Sequence, residues 1–460
     1  MMGGPAHGTS WPGWRRCRAA VGGVLRLIPR TGWLWAILAI TLAACLPGAE
    51  VPGVPRDAPP LNPNIPRDPV TLEVWLNLDF VTPDPLFRDM IADFERAYPN
   101  VTVSLQSAVP ESIPGKVRVA LQVGAPPDLV QGQVAAMAAQ GFAEPLDDLW
   151  NGWDAQADFL PEAIRRVTWD GVKYGVPLDV YTLVLLYNKS YFEQAGLAYP
   201  NTSYDWRQFA SDAATLTRPS QGRYGLGFTV EPWYVFGWLA EAGGDLVAGD
   251  SFLGYKFTLD TGNNIEGLRF LTTMARNGYG PLPTARPRDY EDPRKLFLKG
   301  QIAMFFGTPG DVHYIRTQAP DFPIGVAELP KTPAGAGAAS ALGGTGLFVP
   351  RGSRHREIAF EFMKWAISDR YALPMARRLG RYPARTWLET APQFAGDPAL
   401  KPFLLQLNAA RPYRLDAFPE VERAYADAIK AAFYGTDPAE ALHAAQKQAD
   451  EYARQSLAAR

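Results

Sequence analysis

The chain has 460 residues, 47% of them hydrophobic and 20% charged, with 45 Lys and Arg against 47 Asp and Glu. That composition is globular, long enough for about two to four domains, and it excludes a low-complexity or disordered bulk. Two cysteines and four histidines exclude a disulfide framework and a Cys/His metal cluster. A formal charge of -2 gives no electrostatic footprint for nucleic acid.

Residues 1–44 carry five arginines and no acid, so the remainder holds 40 basic and 47 acidic residues, a formal charge of -7. The apolar run Trp33 to Ala44 has twelve residues, short of the about 20 that span a bilayer. A basic start, a short apolar core and small residues at its end read as a secretory signal over 1–44. The run closes on Leu42-Ala43-Ala44-Cys45, which resembles the lipobox of bacterial lipoproteins, cut before a cysteine whose thiol carries lipid. Cys45 is the expected lipidation site, holding the protein to a membrane on its extracytoplasmic side. Eight prolines follow between 47 and 69; they block helix and ladder formation and favour polyproline II, so 45–69 is expected to be a tether.

From Val70 the pattern alternates strand and helix. Val70, Leu72, Val74 and Leu76 read as a strand, Leu86, Met90, Ile91, Phe94 and Tyr98 as one face of a helix from Pro85. A strand at Val101 to Leu105, a helical stretch around Val117 to Leu121 and a short strand at Asp128 to Val130 continue the rhythm, which predicts a parallel sheet with covering helices. Later strands are predicted at 183–187, 302–306, 324–328 and 345–349, and helices at 206–217, 265–277, 354–368 and 421–434. Asp437, Pro438 and Glu440 are the N-cap, N1 and N3 of a last helix. The fold class is α/β.

No nucleophile elbow, Walker loop, dinucleotide fingerprint or paired-histidine metal motif is present in the sequence, and no cofactor is expected. Thirteen tryptophans point instead to stacking on sugar faces. Glu231-Pro232-Trp233-Tyr234 places a carboxylate beside two aromatics, either as a sugar platform or as a buried helix start.

Six segments then fall in a telling order. Thr71 to Trp75 and Phe94-Glu95 through Val103 are followed by Leu121 to Asp128, similar to "A-x-G-x-x-P-D". Asp170 to Pro177 and Leu186-Tyr187-Asn188-Lys189 come next, then Phe297 to Met304. Together they resemble the extracellular solute-binding proteins of ABC importers, the maltose-binding-protein-like family. The resemblance runs from Val70 to the C-terminus. It implies a two-lobed periplasmic-binding-protein-like fold of type II, with no catalytic residue and a ligand cleft between lobes joined by crossings near 179–183, 343–347 and 383–388. The first lobe would comprise 70–180 and 346–388, the second 181–345 and 389–460.

The same resemblance suggests the ligand residues. Asp79 and Gln131 begin cleft loops of the first lobe, Tyr181 follows the first crossing, and Glu231 and Trp233 match a Glu-Pro-aromatic cluster. Gly344 and Thr345 would let backbone approach the ligand, and Arg381 would hold an anionic group or brace the hinge. Thr308-Pro309-Gly310 departs from the family's "G-P-W", with Gly310 in the tryptophan's place and Phe306 as a possible substitute. The implied role is capture of a sugar or oligosaccharide by a monomer for the permease subunits of an ABC importer. A surface glycan hydrolase and a ligand-presenting sensor are the alternatives.

Overall fold

The computed structural model describes residues 59, 61–65, 67–76, 85–249, 255–286, 288–332, 339–391 and 397–458. The expected signal, Cys45, the first part of the tether and Asp79 lie outside the described residues. These residues fall within one compact unit, Asp57–Arg460. Among them, no helix is long and apolar enough to cross a membrane.

The first lobe is a five-stranded sheet in the order Val101–Ser107, Val70–Leu76, Leu129–Gly132, Gly346–Phe348, Gly175–Pro177. Its first three strands run parallel, with Val70 opposite Val101 and Val74 opposite Leu129, as the strand–helix alternation predicts. The last two join antiparallel through Leu347, which faces Gln131 on one side and Val176 on the other. Leu72 and Val74 are fully buried and Leu76 nearly so, because alternate side chains of a strand point to one face. The helix Pro85–Ala97 drives Phe94 edge-on against Phe362 and Trp365, with ring centres 5.1 and 5.7 Å apart. Burying such a ring contributes about 2–3 kcal/mol. Beside it, buried Asp93 accepts hydrogen bonds from Tyr371 (2.6 Å) and Arg370 (3.1 Å), so its charge is compensated where water is excluded.

The end of the expected tether is fastened to this lobe. The Asn62 backbone N–H donates to the Tyr98 hydroxyl (3.1 Å), its amide donates to Glu361 (2.9 Å), and Ile65 is buried. Proline spacing alone does not show this, because one apolar side chain and one amide suffice to dock the segment.

The second lobe has a four-stranded sheet in the order Ile324–Ala327, Val184–Asn188, Ile302–Gly307, Tyr224–Leu226. Both inner strands are buried along their whole length, as strands covered on two faces are. Its core is aromatic: Trp206 stacks on Phe270 and Trp238 on Phe306, each with centroids 4.1 Å apart.

A third sheet, Ala410–Pro412, Ser340–Gly343 and Tyr181–Thr182, lies along the route between the lobes. The chain leaves the first sheet at Pro177 and enters this one at Tyr181. It returns from Gly343 to Gly346, with Leu178 N–H donating to the Thr345 carbonyl (2.9 Å). A third passage runs alongside: Asp179 bridges Pro383, and the Val180 N–H donates to the Tyr382 carbonyl (2.9 Å).

One buried group conflicts with its surroundings. Glu241, near the end of the helix Pro232–Glu241, is 0% exposed and neither carboxylate oxygen has a hydrogen-bond partner. Burial pushes its carboxyl up to about 10, against a pull down from Lys331 and Arg411. A folded value above the ordinary 4.5 means the folded state keeps a proton that the unfolded chain releases. The stability contributed is whole below 4.5 and is lost as pH rises towards 10. Glu241→Gln removes this titration. Its Tm should match the native protein's near pH 4 to 5 and exceed it increasingly towards about pH 9; a difference that does not change with pH would exclude Glu241 as the source.

Candidate functional site

The three crossings meet at one carboxylate. Asp179, on the first, is 6% exposed and accepts hydrogen bonds from the Thr345 N–H (2.6 Å) and hydroxyl (3.0 Å) on the second. Arg381, on the third, approaches it at 4.0 Å. The Gln131 amide, from the central strand of the first-lobe sheet, donates to the Thr345 hydroxyl at 2.9 Å. The sequence-predicted residues Gln131, Thr345 and Arg381 are thus brought together. Gly344 serves the same junction. Its φ is 133°, and a Cβ there would lie 2.5 Å from the Asp179 carbonyl oxygen. Its closeness is to the neighbouring crossing.

Beside this junction opens a cavity of about 630 Å³, within the roughly 300–1,000 Å³ of small-molecule sites. Asp179, Tyr181, Thr345 and Arg381 form its floor, and Tyr234, Tyr290 and Tyr314 of the second lobe form aromatic walls. Tyr234 and Tyr290 stack with centroids 5.6 Å apart and planes 12° apart. The helix Pro309–Gln318 begins at the cavity, its cap made by reciprocal bonds between Thr308 and Asp311. Arg288, Glu291, Arg294 and Lys295 close one side and Arg378 to Gly380 another.

Burial, followed by the Asp179 charge, pushes the Tyr181 hydroxyl up to about 12, and burial holds Tyr234 well above its ordinary value. Both phenols keep their protons at neutral pH and can donate to a ligand oxygen. Burial lowers His313 below the ordinary imidazole value, which keeps it neutral there.

The other predicted residues stand behind the wall. Glu231 caps the helix Pro232–Glu241, accepting from the N–H groups of Trp233 (2.9 Å) and Tyr234 (3.3 Å). Trp233 meets Tyr181 and Tyr234 edge-on at 5.6 and 5.1 Å, and its indole N–H donates to the Leu342 carbonyl (3.2 Å). It braces two cavity tyrosines and is not itself on the cavity surface. Phe306 lies in the core on Trp238 and does not reach the cavity. It therefore does not replace the aromatic that Gly310 lacks; its strand is buried on both faces. Tyr234, Tyr290, Tyr314, Arg288, Arg294 and Arg378 were missed by sequence reasoning. The Glu-Pro-Trp-Tyr run held one of them, while the rest reach the site only through tertiary folding.

A second contact joins the lobes. Arg166 of the helix Pro161–Arg166 hydrogen bonds Gln133 on its own side and reaches across to the Tyr413 carbonyl (3.3 Å) and Asp416 (3.5 Å). Trp169 packs against Tyr255 and Phe418, centroids 5.1 and 6.1 Å away. Burial raises Asp416 despite Arg166, and burial and the Asp416 charge push Glu422 up to about 8.

Two lobes, adjacent crossings and a ligand-sized cavity at their junction define a binding protein of the two-lobed class. The profile of bacterial extracellular solute-binding proteins matches residues 81–373, and the chain belongs to that family, whose members bind and do not catalyse. A binding protein of Brucella abortus is 26% identical over 261 residues, 55% of this chain and 61% of its own, so the chain spans about three fifths of that relative. The diacetylchitobiose binding protein DasA of Streptomyces coelicolor is 26% identical over 326 residues, 70% of this chain and 74% of its own. The crystal structure of a solute-binding protein from Thermotoga lettingae with α-D-tagatose superposes with a TM-score of 0.72 at 25% identity, covering 83% of this chain and 99% of that one.

Two adjacent glycines separate stability from binding. A Cβ at Gly343 would meet the rings of Tyr181 (2.2 Å) and Trp233 (2.8 Å), side chains that would have to shift to admit it. At Gly344 it would meet backbone, at a φ that only glycine adopts readily. Gly344→Ala should lower stability by about 2 kcal/mol or more in denaturant titrations. Gly343→Ala should lose less stability while changing the near-UV circular dichroism of the displaced rings; the reverse ranking would refute this assignment of roles.

Proposed function

We propose that the chain is a lipid-anchored extracytoplasmic binding protein that captures a sugar or oligosaccharide at the hinge and delivers it to the permease of an ABC importer. The observation that carries this is the cavity at the three crossings, with tyrosine walls and hydrogen-bonding groups on several sides. Sugars present apolar C–H faces to aromatic rings and hydroxyls to donors and acceptors, and both chemistries are present. The relative named for diacetylchitobiose and the structural neighbour holding tagatose support the carbohydrate reading. Leu42-Ala43-Ala44-Cys45 supports the anchor. A ligand that touches the second-lobe wall and the residues around the crossings favours the closed arrangement, and the permease would read closure.

Two experiments test the reading. In a thermal-shift panel of mono- and oligosaccharides, a true ligand at about 100 times its Kd stabilises by about 2.7 kcal/mol, and the shift should be lost in a Tyr234→Ala, Tyr290→Ala double variant that remains folded. A panel with no shift would overturn the carbohydrate assignment. Separately, Cys45→Ser should abolish lipid labelling of the full chain in a bacterial host and release it from the membrane fraction; unchanged partitioning would remove the anchor.

A further inference from the structure

The charges around the cavity are unequal in number and in placement. Five cationic side chains line it, Arg288, Arg294, Lys295, Arg378 and Arg381, against three carboxylates, Asp179, Glu291 and Asp311. Two of those carboxylates lie below the surface. Asp179 is 6% exposed and turned to the Thr345 N–H and hydroxyl; Asp311 is 5% exposed and turned to the Thr308 N–H (2.8 Å), with Arg294 at 3.1 Å. Glu291 is shared by Arg288 (2.9 Å) and Lys295 (2.8 Å), which are 38% and 45% exposed. Two of the three negative groups are thus sunk into a cap and a crossing, while Arg288, Lys295 and Arg378 stand nearer the surface.

Two further features act in the same direction. Position 310, where the family pattern has tryptophan, is a glycine, and a Cβ there would meet only the Thr308 hydroxyl, 3.6 Å away. Gly310 lies in the first turn of the helix Pro309–Gln318, whose positive N-terminal dipole is met in part by the Asp311 carboxylate of its cap. Arg288 holds a left-handed backbone, φ 61°, which a non-glycine residue keeps only where its surroundings impose it.

We infer that the cavity selects a saccharide bearing an anionic group, a carboxylate or a phosphate, seated between the start of the Pro309 helix and the Arg288–Lys295 wall. This rests on the carbohydrate reading above and narrows it. Arginine suits either anion, because its planar fork matches two oxygens at once. The tyrosines would hold the sugar ring, and the cations the charged substituent.

Paired ligands test this on the full mature chain. Glucose, galactose and mannose and their β-linked disaccharides are compared by calorimetry with the corresponding uronates and with the 6-phosphates. The expected result is that at least one charged member binds about tenfold or more tighter than its neutral counterpart. That preference should shrink as NaCl rises from about 50 to about 500 mM. Arg378→Gln and Lys295→Gln, both at exposed positions, should lower the charged-to-neutral ratio without changing Tm in the absence of ligand. Uronate preference would identify a carboxylate ligand and 6-phosphate preference a phosphate one. Neutral sugars binding as well as or better than their charged partners would overturn the inference and leave the carbohydrate reading standing. No binding by any member would overturn both.

Discussion

Asp179 is the constraint on which the arrangement of the site depends. A buried carboxylate is tolerated only with compensating donors, and its partners are Thr345 on the second crossing and Arg381 on the third. One charge therefore aligns three separate passages of chain. Gln131 extends the network into the first-lobe sheet through the Thr345 hydroxyl. Gly344 makes it sterically possible, since any side chain there would strike the carbonyl of Asp179 itself. The cavity floor is in this way fixed by the same bonds that connect the lobes.

The walls obey a different logic. Tyr181 and Tyr234 are oriented by Trp233, which is pinned through its indole N–H to Leu342. The helix carrying Tyr234 starts where it does because Glu231 satisfies two N–H groups of its first turn and Pro232 needs none. A rigid aromatic wall on one lobe thus stands against a hydrogen-bonded floor at the crossings. The Arg166 contacts with Tyr413 and Asp416 mark a second place where the lobes already touch, away from the cavity lining. There Asp416 and Glu422 sit in surroundings that favour their protonated forms, through burial first and mutual repulsion second for Glu422.

Much of the scaffold was legible because strand and helix periodicity is local. The strand starting at Val70 and the helix starting at Pro85 sit where alternation and three-to-four spacing put them, and the final helix begins at its Asp437–Pro438 signal. Periodicity does not carry strand direction. The antiparallel entry of Gly346–Phe348 into an otherwise parallel sheet follows from the return crossing, a tertiary fact. The site divides the same way. Tyr181, Thr345 and Arg381 were accessible because motifs flank the crossings, and the structure places all three at the cavity. Phe306 was drawn to the site by its closeness in sequence to Gly310, yet alternation along a central strand turns it into the core. Tyr290 and Arg288 had no motif to announce them, and only the packing of their loop against the Pro232 helix brings them to the wall.

The distribution of carboxylates also explains why a cavity rich in charge binds instead of cutting. Glycoside hydrolysis needs one carboxyl that keeps its proton near neutral pH and a second that is ionised and free to approach the sugar. At this cavity Asp311 is committed to a helix cap and Asp179 to the crossings. Glu291 is partly buried, which opposes ionisation, but Lys295 and Arg288 outweigh that and hold it below the ordinary glutamate value. It is ionised at neutral pH and has no proton to give a leaving group. The carboxyls that do retain protons, Glu422 and Glu241, lie elsewhere, in the Asp416 crevice and the second-lobe interior. Acid groups of the two kinds exist in the same lobe, but the fold keeps them apart, and what remains at the cavity is a surface for recognition: aromatic rings, protonated phenols and charged groups held in place.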